Sequence, residues 1–390
     1  MAELSQICRA ARESERRQEP VWLATVMRVK GSAYRHPGAR MVFSSDEVLA
    51  GSVSGGCLEA GIARKGPWLA RERPTCIRFD GSREEEDEES PRGTGCDGVV
   101  DILLERASFD APSAPLAVIE DCLRGERRAV LVTVFESREP LAPVGARLTL
   151  DEVGRLSTCA LSGPTWAKLA QAAEQAMGEQ RAVTRTLSTD CCEALLEVIE
   201  PPPHLFVFGT GPDAVPLVEL ATLLGFGVTV CDPSGRPIVR ERFAGLAELH
   251  VGSVESVATK LAARRIPIGV IMSHHYPTDQ RALGVLLASH APYIGVLGPQ
   301  RRSERLLHEL FPDPHQLANS DRARVRAPLG LDLGAETPAQ IALSALAEVQ
   351  AVLAGASAVP LCERGSQPIH RPVSTLVPSA LPELARTGTA

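Results

Sequence analysis

Long apolar runs are missing from this chain. No stretch reaches the roughly 18 consecutive apolar residues that a membrane-crossing helix requires. The first 20 residues, MAELSQICRAARESERRQEP, form a charge-dense amphipathic pattern without an apolar centre, which reads as a helix and as neither a signal peptide nor an anchor. Aromatic residues make up only 4% of the sequence, and the formal net charge is −7. A groove for single-stranded nucleic acid needs exposed aromatics among basic residues, and an acidic chain exerts no pull on a phosphate backbone. Nucleic acid is therefore set aside as a partner. The ten cysteines, at 8, 57, 76, 96, 122, 159, 191, 192, 231 and 362, follow no CxxC or spaced Cys/His pattern. That argues against a structural zinc site and a disulfide framework, and scattered free thiols suit the cytoplasm.

What is present is the composition of an ordinary globular protein. The chain has 390 residues, 44% hydrophobic and 23% charged, enough for two or three domains with buried cores. Residues 1–200 read as an α+β domain built on an internal repeat, with units at about 20–80 and 129–188. The Thr-Val pairs Thr25-Val26 and Thr133-Val134 superpose, as do the Gly-Ala-Arg triplets Gly38–Arg40 and Gly145–Arg147. Each copy reads strand, turn, strand, helix, strand. The copies differ at one informative place: the first has GSVSGGCLE at 51–59, where the second has TCALSGPTW at 158–166. That asymmetry assigns the chemistry to the first copy. Between the copies lies an acidic run, Glu84–Glu89, read as a solvated loop. GVVDILLE follows it as a strand, behind the turn Cys96-Asp97-Gly98.

Pro201-Pro202-Pro203 breaks the chain. Strands and helices then alternate over 203–353, predicting a Rossmann-like, doubly wound parallel sheet covered on both faces. Thr337, Pro338 and Gln340 mark a helix start, and residues 354–390 read as a flexible tail.

Five groups of residues carry candidate chemistry. Gly55 and Gly56 lead into Cys57; if a helix starts near Gly56, its free N–H groups favour an anion and stabilise a thiolate at Cys57. The alternative is a tight turn around a small buried thiol. Arg35 and Arg40, with His36 between them, flank the neighbouring turn and offer forked donors to phosphate; Arg147 in the second copy leaves open a structural role for Arg40. Cys96 is a second glycine-flanked thiol, so Cys57 and Cys96 together are candidates for contact with a soft metal or sulfur, or else inert buried residues. Gly209 and Gly211 outline a dinucleotide fingerprint, with Asp232 at the ribose position. Pro212 lacks an N–H there and Asp213 puts a carboxylate where a phosphate belongs, so the parallel-sheet fold is better supported than NAD(P) binding. His274, Arg301 and Arg302 should share the carboxyl edge of that sheet with Asp232, as ligand contacts or as a polar rim.

These residues stand in a recognisable series. GSAYRHPGARM, GSVSGGCLEA and GTGCDGVVDILLE, followed by FGTGPDAVPLVELATLLGFGVTVCD, MSHHYPTDQRALGVLLAS and YIGVLGPQRRSERLL, together resemble the XdhC/CoxI family over most of residues 20–350. The resemblance implies a maturation factor that binds molybdenum cofactor, as molybdopterin or its dinucleotide form. Such a factor supports sulfuration of the cofactor and delivers it to a xanthine dehydrogenase-like or carbon monoxide dehydrogenase-like enzyme. It implies Cys57 and Cys96 near metal or sulfur, and Arg35 with the Rossmann edge near the pterin phosphate or nucleotide. The partners it implies are the large subunit of a molybdenum hydroxylase, a cysteine desulfurase and a second copy of the chain. Two departures are evident: Asp232 is followed by Pro-Ser-Gly-Arg, and the second thiol turn reads CDG in place of CGG. The competing reading is an NAD(P)- or flavin-dependent oxidoreductase built on the Rossmann domain.

Overall fold

A computed structural model describes residues 2–31, 33–80, 98–125, 127–179, 182–311, 318–364 and 375–376. The chain divides into two compact units, one holding Glu3–Glu200 with His370–Ala390, the other Pro201–Ile369 with Met1–Ala2.

The amino-terminal unit runs α1 (Ala2–Arg16), β1 (Trp22–Lys30), β2 (Arg40–Phe43), β3 (Val48–Gly51), α2 (Glu59–Leu69), β4 (Thr75–Asp80) and β5 (Val99–Arg106). It then repeats as α3 (Pro115–Gly125), β6 (Ala129–Ser137), β7 (Arg147–Asp151), β8 (Leu156–Cys159), α4 (Gly163–Met177), β9 (Thr184–Ser188) and β10 (Cys192–Ile199). The two sheets have matching orders, β3-β2-β1-β5-β4 and β8-β7-β6-β10-β9. The duplicated element is thus longer than the motif pairs indicate: each copy also contains a leading helix, a third strand and a closing strand. Thr375–Leu376 adds a parallel pair to β9, so the stretch read as a free tail includes a piece of this sheet.

Matched residues bind the copies together. The same bulge interrupts both central strand pairs, after Val26 and after Val134, leaving Met27 and Phe135 outside the ladder. Those two side chains meet Leu103 and Leu195 in one sealed core between the sheets. Above this core the ion pairs cross from copy to copy. Arg40 of the first sheet binds Glu197 of the second at 2.6 Å, and Arg147 of the second binds Glu105 of the first. A buried guanidinium is tolerated only when paired and hydrogen-bonded.

The second unit runs β11 (His204–Phe208), α5 (Ala214–Leu223), β12 (Gly227–Asp232), α6 (Pro237–Arg242), β13 (Glu248–Val251), α7 (Ala258–Ala263) and β14 (Pro267–Ile271). It continues through α8 (Tyr276–Leu287), β15 (Tyr293–Val296), α9 (Gln300–Leu310), α10 (Asn319–Arg324), β16 (Val325–Arg326) and α11 (Pro338–Ala354). All strands are parallel in the order β13-β12-β11-β14-β15-β16, so the chain reverses direction between β11 and β14, where doubly wound folds bind ligands. Apolar clusters lie on both faces of the sheet, which is why its strands read as continuous apolar runs. Thr337 caps α11 through a reciprocal bond with Gln340, as the sequence predicts.

One buried group makes this unit acid-sensitive. His204 is 6% exposed and bonds Thr229 at 2.8 Å, and burial pushes its pKa down from 6.5 to about 4. The unfolded chain takes up a proton near pH 6.5 and the folded chain only near 4, so stability present above pH 6.5 is lost as pH falls through that window. The loss reaches about 3 kcal/mol. Denaturant unfolding from pH 7 to pH 4 should show it, and a His204→Gln variant should flatten the slope; an unchanged slope refutes this cause.

Candidate functional site

β3 ends at Gly51, and the next seven residues wrap around one carboxylate, that of Glu59. The amides of Val53, Ser54 and Gly55 donate to its Oε1 at 3.1, 2.9 and 3.3 Å. Those of Gly56 and Leu58 donate to Oε2 at 3.0 and 3.2 Å. The Ser52 hydroxyl adds a bond at 2.8 Å, and the Ser54 hydroxyl another. Burial pushes the Glu59 pKa up, but the bonds from Ser54 and Ser52 outweigh it and hold the group at about 2. Gly55 and Gly56 take φ of +138° and +119°, backbone that glycine alone adopts without strain.

This arrangement corrects the expected helix start at Gly56. α2 begins only at Glu59, and the amides expected to face an external anion are already bonded to the chain's own carboxylate. Cys57 sits between the two amides anchored on Oε2, and its side chain is exposed, so it is not a buried space-filler. The second copy lacks this hub: Trp166 stands at the counterpart of Glu59, and α4 already begins at Gly163. Sequence reasoning missed Glu59, because an acid at a helix start reads as a partner for the helix dipole. The available signal was two serines and two glycines spaced in front of it.

The turn between β1 and β2 lies at the same edge of the sheet. The Tyr34 ring packs on Gly55, where a Cβ would approach it to 2.8 Å. Arg35, partly buried, pairs with Glu3. β5 enters the sheet beside Lys30, at that edge; Cys96, three residues before Val99, lies outside the described residues. Arg40 does not belong to a ligand site. Its side chain is 2% exposed and bound through both terminal nitrogens to Glu197, at 2.9 and 2.6 Å. A further thiol cluster, not foreseen, occupies the matching edge of the second sheet: the Cys191 thiol lies 2.9 Å from Glu139 and 3.2 Å from the Thr165 hydroxyl. Among the described residues no three His, Cys, Asp or Glu side chains are grouped to hold a metal ion.

At the carboxyl edge of the parallel sheet several expected contacts are already engaged. Gly209 passes so close to β14 that a Cβ would meet the Met272 carbonyl at 2.6 Å, a requirement of the fold itself. A Cβ on Gly211 would meet Asp213 Oδ1 at 2.1 Å, so the carboxylate lies where a pyrophosphate would approach. The other oxygen of Asp213 bonds His274 Nε2 at 2.8 Å, and His274 takes a left-handed φ of +58°. Asp232 is only half engaged, its Oδ2 being buried with no hydrogen-bond partner among the described residues. It is 1% exposed, with Oδ1 accepting from the Ser234 amide and hydroxyl at 2.8 and 2.6 Å. Arg302 is held by buried Asp279 at 2.8 Å, whereas Arg301 is exposed. A narrow apolar slot of about 50 Å³ opens beside Asp213, between Met272, Leu297 and Ile341.

No helix among the described residues is long and apolar enough to cross a membrane. Residues 14–80 match the XdhC and CoxI family, and residues 205–349 match the XdhC Rossmann domain. The chain is 30% identical to a Bacillus subtilis protein described as a probable subunit of xanthine dehydrogenase, over 85% of this chain and 93% of that one. It is also 30% identical to the uncharacterized protein YqeB of Escherichia coli, over 38% of this chain and 27% of that one. A crystal structure described as a xanthine dehydrogenase from Bacillus halodurans superposes with a TM-score of 0.70 at 26% identity, covering 92% of this chain and 99% of that one. With the Rossmann unit, the thiol loop and a full-length relative all in agreement, the chain belongs to the XdhC/CoxI family.

Proposed function

We propose that this protein is an accessory factor that holds molybdenum cofactor, supports its sulfuration and hands it to a molybdenum hydroxylase of the xanthine dehydrogenase or carbon monoxide dehydrogenase type. The observation that carries the reading is Cys57, an exposed thiol between two amides anchored on Glu59. A thiol is a soft ligand suited to molybdenum or to sulfur. The residues that would hold the cofactor are Cys57 and Cys96, the backbone of Gly55 and Gly56, and Arg35 toward the phosphate. On the Rossmann unit, exposed Arg301 is the side chain left to meet a nucleotide, and His274 would reach one only by leaving Asp213. When bound, the cofactor supplies the redox-active metal, and the chain supplies the cradle and the thiol. The partners are the large polypeptide of the hydroxylase, a cysteine desulfurase as sulfur source and a second copy of the chain.

Protein purified from cells that make the cofactor should co-elute with pterin and molybdenum. Cys57→Ala should lower the bound molybdenum and client activation at least tenfold, without changing the melting temperature, because the side chain is exposed. Full retention of metal and of client activation by that variant overturns the thiol assignment.

The strand order of the second unit favours one alternative, an NAD(P)- or flavin-dependent oxidoreductase. The carboxylate beside Gly211 and the sealed Asp232 stand against it. Titration with NADH separates the two: saturable micromolar binding with turnover selects the oxidoreductase, and its absence selects the accessory factor.

A further inference from the structure

The internal repeat supplies a control for what packing alone requires of a helix. Thr25 pairs with Arg40 and Thr133 with Arg147; Met41 pairs with Gly51 and Leu148 with Thr158. Carried forward, this register aligns α2 with α4. Buried Ile62, Ala63 and Gly66 then match buried Leu169, Ala170 and Ala173, so both helices turn the same face to their sheets. Their outer faces have nothing in common. Trp68 is 78% exposed, and its counterpart in α4 is Gln175, also exposed. Arg71 corresponds to exposed Gly178, whereas the counterpart of Lys65 is Ala172, which is buried in the core of the second copy. Lys65, Arg71 and Arg73 are all exposed, and none has an ion-pair partner among the described residues.

A fold that accepts an exposed glutamine in place of Trp68 and an exposed glycine in place of Arg71 does not demand an indole or a cation there. Leaving a tryptophan in water is unfavourable, and tryptophan is the side chain most enriched among binding hot spots. We infer that the outer face of α2 and the exposed segment that follows it dock an acidic segment of a partner protein, with Trp68 as the apolar anchor and Lys65 on the helix and Arg71 and Arg73 just beyond it as the cations. A membrane surface would need a broad apolar face, and here the apolar face of α2 is already spent on the core. A nucleic acid strand would need a track of aromatics, and this face has one. At 1.5 Å per residue Trp68 lies about 14 Å along α2 from Glu59 and the thiol loop, so a partner held here can also cover Cys57. The inference itself does not depend on what Cys57 binds.

The test uses the full chain and a fluorescein-labelled peptide of six glutamates around a central leucine, followed by anisotropy at low and high salt. Saturable binding that weakens with salt is expected, with Trp68→Gln at least tenfold weaker and Lys65→Ala/Arg71→Ala weaker again. The glutamine variant installs the residue the repeat already uses, so its melting temperature should match the parent. Absence of binding by the parent, or equal affinity of Trp68→Gln, overturns the proposal. Tighter binding to a duplex oligonucleotide or to phosphatidylserine vesicles also overturns it, in favour of those surfaces. A parallel variant with Glu84–Glu89 changed to glutamine covers self-occupancy: peptide binding seen only there assigns the face to the chain's own acids and overturns the partner.

Discussion

Arg40→Met lowers the unfolding free energy of the amino-terminal unit by about 3–5 kcal/mol, the cost of leaving one member of a buried ion pair alone. For a unit of this size that corresponds to a drop in melting temperature on the order of 10 °C. The cause is Glu197, whose side chain is 5% exposed and has no water to turn to once the guanidinium is gone. The preceding glycine is part of the same device. Gly38 takes a φ of +92°, and a Cβ there would meet Glu197 Oε1 at 2.6 Å, so the Gly-Ala-Arg triplet clears a path for the carboxylate as well as supplying its partner. The double variant Arg40→Met/Glu197→Leu should recover most of the loss, since paired apolar side chains replace buried ion pairs at little cost. Arg147→Met should behave like Arg40→Met, because Arg147 pairs with buried Glu105 in the mirrored position. Chemical denaturation reads all three. A loss below about 1 kcal/mol for Arg40→Met would show that the pair is not the clamp between the sheets; a variant of normal stability that sheds bound cofactor would return Arg40 to the ligand site.

That case shows where the sequence was legible and where it was not. The repeat was visible through Thr25-Val26, Thr133-Val134 and the two glycine-arginine turns, because identical geometry kept identical residues there. The closing strands β5 and β10 went unread as a repeated pair although both carry a Leu-Leu-Glu triplet, Leu103–Glu105 and Leu195–Glu197, which ends in the matching cross-sheet acid. The same acids explain why Arg40 looked like a phosphate ligand. An arginine beside a glycine turn has one appearance in sequence whether its partner is a ligand or a carboxylate more than 150 residues away. The parallel sheet was legible in β11, β12, β14 and β15, since alternation of strand and helix is a local signal, whereas the short edge strands β13 and β16 went unread. Asp232 kept its place at the end of β12, but it is buried there, and the turn residue Ser234, two positions on, engages one oxygen of its carboxylate from within.

Glu59→Ala should release the thiol loop without unfolding the protein. Five amides lose a bond at once, those of Gly56 and Leu58 keeping only the Ser54 hydroxyl, and a buried amide left unpaired costs about 1–3 kcal/mol, so the loop opens to water instead. Amide exchange over residues 53–58 should accelerate about a hundredfold, equivalent to roughly 3 kcal/mol of local stability. The carboxylate's own titration gives a similar figure. Held at about 2 against an ordinary value of 4.5, Glu59 contributes stability that is fully present above pH 4.5 and is lost as pH falls through about 2. Loop protection should therefore persist from pH 7 down to pH 4.5 and fade only as pH drops further toward 2. Glu59→Gln keeps the shape but turns a donor toward amides that need acceptors, so it should protect the loop only partly. Exchange in Glu59→Ala indistinguishable from the parent would mean that Gly55 and Gly56 hold their turn unaided. If the loop opens and cofactor retention falls to the level of Cys57→Ala, the thiol works because of where the carboxylate holds it: its backbone neighbours on both sides, Gly56 and Leu58, are tied to the same oxygen.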